Sequence, residues 1–112
     1  MKNFIAVGNT LTFTASAALL SGAGVLIGAI FGVAATDVAN GAQGAVNLTG
    51  VYDLPKTASQ AWTVGAKIYW DDTAKRCTTV TTSNTLIGIA VFAVGGTAGE
   101  TTGRVRLNGA AL

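Results

Sequence analysis

A chain of 112 residues, half of them apolar but only eight aromatic and fifteen glycine, is long enough for one core and short of the large rings that line ligand pockets. Twelve charged residues, 11% against about 25% in an average soluble domain, leave a surface that other subunits can cover, and a net charge of +2 with no basic run longer than Lys75-Arg76 gives no nucleic-acid footprint. With no histidine and with Cys77 as its only cysteine, the chain lacks the commonest general base, the commonest metal ligand and any internal disulfide, which fits synthesis in a reducing cytoplasm.

From Asn3 to Thr36 there is no charge, and Gly24, Gly28 and Gly32 recur at the four-residue spacing by which membrane helices approach one another. Ala15 to Ala35 is also about long enough to cross a bilayer. The local pattern argues instead for strands. Thr10 to Thr14 alternates polar and apolar, Ser21-Gly22-Ala23-Gly24 reads as a turn, and no basic cluster flanks the stretch. The same alternation occupies the place where a secretory signal would carry its apolar core. We therefore expect a strand near residues 10–16, with Leu11 and Phe13 on one face, and a buried strand pair at Val25–Ile27 and Ile30-Phe31. Glycines within that pair mark bulges or close backbone approach.

Asp37 to Gly44 reads as a small-residue loop. Ala45 to Leu54 then alternates as one strand, with Val46, Leu48 and Tyr52 facing one way and Asn47, Thr49 and Asp53 the other. Pro55 ends it, having no amide for a ladder, and Lys56 to Gln60 has room for one helical turn. Lys67 to Trp70 and Lys75 to Thr82 are expected to form a hairpin about Asp71-Asp72. After a turn at Ser83-Asn84, Leu86 to Val94 is apolar on both faces, so it is central in a sheet or covered by another subunit. Gly95 to Gly103 is a loop and Arg104 to Leu107 a final strand. About seven short strands predict an all-β chain: a small β-barrel or β-sandwich, one domain over 1–112, with 1–8 an extended N-terminal arm.

The chemistry-bearing motifs are absent or incomplete. Gly65-Ala66-Lys67-Ile68 lacks the Gly-Lys-Ser/Thr adjacency of a phosphate loop, and Gly22 to Gly28 places its third glycine one residue late for a dinucleotide fingerprint. Asp71 and Asp72 are neighbours at a strand end, pointing to opposite sides, and fit a soluble turn. Cys77 has no histidine to activate it. Asn47-Leu48-Thr49 has the form of a glycosylation sequon with no sign of a secretory route. Trp62, Tyr69 and Trp70, with Lys67 among them, would make a stacking platform for single-stranded nucleic acid if exposed; otherwise Trp70 belongs in the core and Trp62 or Tyr69 covers a barrel mouth or subunit contact. No catalytic, cofactor-binding or metal-binding residue is assigned, and no enzyme is expected.

Six stretches carry a family resemblance: Met1-Lys2-Asn3-Phe4, Gly8-Asn9-Thr10-Leu11, Gly32-Val33-Ala34-Ala35, Leu48 to Lys56, Val64 to Asp72, and Thr85-Leu86-Ile87-Gly88 with Gly103 to Gly109. In order and over nearly the whole chain they resemble the small capsid cement, or head decoration, proteins of tailed phages and prophages. Members of that family often carry the label of a phage recombinase, which this chain does not fit, having no phosphate loop. The resemblance implies a β-barrel similar to trimeric phage head decoration proteins, placed on the capsid exterior, with the major capsid protein as partner and no small-molecule substrate, cofactor or membrane. For such a homotrimer the expected subunit interface draws on Val25, Ile27, Ile30, Ile87, Ile89 and Val91. The N-terminal arm, Lys2, Asn3, Phe4 and Ile5 onward to Val7, would reach the capsid and pair with an edge strand there. The alternative reading is a small-barrel single-stranded nucleic-acid-binding protein.

Overall fold

The computed structural model describes residues 8–110, and within them the chain forms strands and turns with no helix. The strands are β1 (Thr10–Thr14), β2 (Gly24–Ile27), β3 (Ile30–Ala34), β4 (Gln43–Asn47), β5 (Thr49–Pro55), β6 (Lys67–Asp71), β7 (Arg76–Thr78), β8 (Thr85–Ala90) and β9 (Thr102–Asn108). They form two antiparallel sheets, one in the order β1-β4-β3-β2 and the other in the order β5-β9-β8-β6-β7. The all-β expectation holds, and the described part of the uncharged stretch, residues 8–36, is a set of strands and turns.

Residues 10–47 are one long hairpin folded back on itself. Its tip is the two-residue turn Gly28-Ala29, where Gly28 takes φ +59 at the first central position, as a type II′ turn prefers. Every pair on the two arms lies symmetrically about that tip: Ile27 with Ile30, Gly24 with Val33, Leu19 with Val38, Thr14 with Gln43, Thr10 with Asn47. Midway the arms bend through small residues, and the distal half doubles back so that Val33 and Ala34 of β3 pair with Asn47 and Val46 of β4. Gly24 and Gly32 permit this tight packing. A β-carbon on Gly24 would strike the rings of Phe31 and Trp70, and one on Gly32 would strike Val46.

The second sheet curls into a half-barrel whose two ends are joined by a bridge beyond β5. Beyond Pro55, Lys56 bridges Cys77 of β7 in parallel, and the Thr57 amide donates to the Cys77 carbonyl at 2.9 Å. The rolled sheet encloses Leu54, Trp62, Ile68, Trp70, Cys77, Ile87, Val105 and Leu107, all buried, and β3 of the hairpin adds Phe31 and Val33 to the same core. Phe31 and Trp70 rings lie 4.8 Å apart and tilted by 49°, a geometry that contributes about 0.5–1.5 kcal/mol beyond burial and ties hairpin to barrel.

Three expectations need correction. Ala45 to Leu54 is two strands in different sheets, with the chain crossing at buried Leu48, because period-two alternation reports which face is buried and not which partner is paired. Lys56 to Gln60 makes no helical turn; its backbone closes the barrel seam and then turns at Ser59, φ +59. Strand β8 stops at Ala90, and Val94 instead exchanges backbone hydrogen bonds with Trp62 at 2.8 and 2.9 Å. As to its two alternatives, β8 is central, between β9 and β6. A bulge opposite Ile68 and Tyr69 leaves Ile87 unpaired, and Ile87 and Gly88 are both buried.

Candidate functional site

A cleft of about 740 Å³ lies between the folded hairpin and the barrel. Phe13 of β1 and Val25, Leu26 and Ile27 of β2 line one side, and Pro55 and Trp70 the other. Strands β1 and β2 are the two edges of the hairpin sheet, so the cleft is flanked by unpaired strand edges. Its charged lining is Asp72 and Lys75, bound to each other at 2.7 Å. The Lys75 ammonium and the Trp70 indole N–H, 3.1 Å away, hold the Asp72 carboxyl below the usual carboxylate range. The cleft therefore presents apolar side chains, small residues and no net charge.

The residues expected at a subunit interface separate into groups. Val25 and Ile27 line the cleft, and the register puts Ile30 on the same sheet face, half-buried. Ile87 does not join them. It is 1% exposed and belongs to the barrel core, since the bulge in β8 turns it inward. Ile89, 38% exposed, points outward from the barrel, and Val91 is half-buried beyond the end of β8. The arm residues Lys2, Asn3, Phe4 and Ile5 lie outside the described residues.

The remaining candidates resolve into structural roles. Asp71 Oδ1 accepts the amides of Thr73 and Ala74 at 3.0 and 3.1 Å, tightening the β6–β7 turn, while Asp72 pairs with Lys75. Cys77 is buried opposite Trp70, and burial pushes its thiol up to about 12, so it is no nucleophile at neutral pH. Trp62 and Trp70 are 1% and 2% exposed, which leaves Tyr69, half-buried, as the one ring of the three open to a base.

Sequence reasoning missed the polar lock at the barrel seam. Lys56 is almost wholly buried; its ammonium donates to the Thr57 and Glu100 carbonyls at 2.8 and 3.0 Å and lies 5.8 Å from the Trp62 ring centroid. Gln60 Oε1 accepts the Trp62 indole N–H at 3.0 Å and the Thr79 amide at 2.9 Å, and its Nε2 donates to Thr79's neighbour Thr78 at 3.0 Å. The only sequence signal was Lys56 standing directly after the strand-ending proline.

A curled half-barrel joined to a folded hairpin, with a cleft of no net charge between them, defines a small all-β protein. The sequence matches the family of phage cement proteins over residues 5–107, and the chain belongs to that family. It is accordingly a phage structural protein. No curated protein and no solved structure gives a match.

Proposed function

We propose that this protein binds the outer surface of the capsid lattice as a homotrimer and stabilises the shell. The observation that carries this reading is the cleft of no net charge flanked by two unpaired strand edges, which offers backbone and apolar contacts to a protein neighbour. A three-fold assembly matches the three-fold and quasi-three-fold positions of a capsid lattice. Val25, Ile27 and Ile30 supply the subunit contact in this reading. Residues 2–7 extend onto the shell and add a strand to an exposed edge there. The protein is made in the bacterial host cytoplasm and ends on the virion exterior. A nucleic-acid role has little to stand on, because the expected platform loses Trp62 and Trp70 to the core.

Quantitative mass spectrometry of purified mature heads tests the proposal. The expected result is this protein in stoichiometric amount with the major capsid protein, and a marked reduction when residues 2–7 are deleted. Absence of the full-length chain from heads would sink the reading. Undiminished occupancy of the deleted form would remove the arm from it.

A further inference from the structure

The outward face of the barrel has a composition that the cement reading does not explain. Across β5, β9, β8 and β6 one row of directly paired residues reads Val51, Arg106, Ile89, Lys67. At about 4.8 Å per strand it spans roughly 15 Å. Beside it Arg104 pairs with Asp53 at 2.8 Å and stacks on Phe92, its guanidinium carbon 4.7 Å from the ring centroid. Val51, Ile89 and Phe92 are three of the six large apolar side chains exposed among the described residues, at 52%, 38% and 55%. The others, Leu20, Val64 and Val80, lie in loops outside the strands.

Charge concentrates on the same face. Its outward side chains include Lys67, Arg76, Arg104 and Arg106 against Asp53 and Asp71, a balance of +2 that equals the net charge of the whole chain. Asp71 stands opposite Arg76 but is engaged by the Thr73 and Ala74 amides and makes no ion pair with it, and Asp53 is taken by Arg104. Lys67 and Arg106, on either side of Ile89, have no carboxylate within ion-pair distance among the described residues. The other acids are also engaged: Asp72 with Lys75, Asp37 with the Ser21 amide, Glu100 with the Thr97 amide. An apolar centre flanked by unpaired cations and an arginine-stacked ring is the composition of a protein-binding face, and its charge selects an acidic partner.

We infer that the outer barrel face centred on Ile89, with Lys67, Arg106, Phe92 and Val51 about it, docks onto an acidic, partly apolar patch of the capsid shell. This rests on the cement reading and names the side of the molecule that faces the shell, leaving the hairpin cleft for contacts between subunits.

The test is co-sedimentation of the purified full-length protein with heads assembled without it, comparing wild type, Lys67→Gln/Arg106→Gln and Phe92→Ala. All three sites are exposed, so circular dichroism and the oligomeric state should match wild type. The expected result is head binding by wild type that weakens as salt is raised, and about tenfold or greater loss in both variants. Wild-type binding with both variants unimpaired would overturn the assignment of this face and leave the cement reading intact. Failure of wild type to bind would instead overturn the cement reading. A single-stranded oligonucleotide run alongside supplies the remaining arm: salt-sensitive binding to it that the Lys67→Gln/Arg106→Gln variant alone abolishes, with head binding unchanged, would assign the face to nucleic acid.

Discussion

Cys77 shows how one buried side chain couples this fold to pH. Its thiol ionises near 9 when solvated and is pushed to about 12 in the barrel by burial. Below pH 9 both folded and unfolded chains keep the proton, and the contribution is fully present. Above it the unfolded chain loses the proton while the folded chain holds it, so stability falls by up to about 1.4 kcal/mol per pH unit until the folded thiol also ionises. Urea denaturation on either side of about pH 9 should show this decline in wild type and a shallower one in Cys77→Ala. Equal slopes would show that the thiol has no part in it. Gly88 makes a second residue-scale case. A β-carbon there would collide with the Arg106 carbonyl of the neighbouring strand, whereas one on Gly99 would meet open space. Gly88→Ala should therefore cost about 1–3 kcal/mol in chemical denaturation, and Gly99→Ala close to nothing.

At the scale of elements, the seam that links the chain just beyond β5 to β7 holds the curl of the second sheet. Gln60 joins the turn after β5 to Trp62, Thr78 and Thr79, and every buried side-chain polar atom among the described residues has a partner. Removing it leaves the Trp62 indole N–H and the part-buried Thr79 amide without their acceptor. Gln60→Ala should cost about 1–3 kcal/mol, read by denaturation followed through tryptophan fluorescence, whose emission also shifts if Trp62 gains water. A change within error would show that water replaces the amide. Individual strands were legible in the sequence, because alternation in Thr10–Thr14, Arg104–Leu107 and the β6–β7 hairpin records burial directly. The folded-back hairpin, the break at Leu48 and the closing seam were not. Each depends on a partner distant in sequence, Asn47 for Val33 or Cys77 for Lys56, and no local pattern encodes that pairing. The same blindness placed Ile87 on a surface, since the bulge that turns it inward arises only when β8 meets β6. For the cleft, Val25 and Ile27 were readable as apolar strand residues, while Phe13 and Trp70 joined them only through the fold.

For the molecule as a whole, the proposed binding of many copies to one shell changes what each contact must supply. Sites on one shell act together, so weak individual contacts add to firm retention once several subunits are joined. That is why stoichiometric occupancy of heads, and not high affinity for an isolated shell protein, is the outcome expected of the mass-spectrometric count. The distribution of polarity fits this: the cleft's one acid and one base neutralise each other, and the barrel's outer face carries a balance of +2.

Strand order has a further consequence, for synthesis. The hairpin of residues 10–47 pairs about its own tip and has all its partners as soon as Asn47 is made. The barrel differs, because β9, the last strand, lies between β5 and β8 and pairs with both. A nascent chain that has not reached Thr102 has a finished hairpin and a barrel missing its middle stave, with two open edges exposed to neighbouring chains on the same message. The slow, long-range step of folding thus waits for the stave from Thr102 to Asn108, which closes both gaps at once.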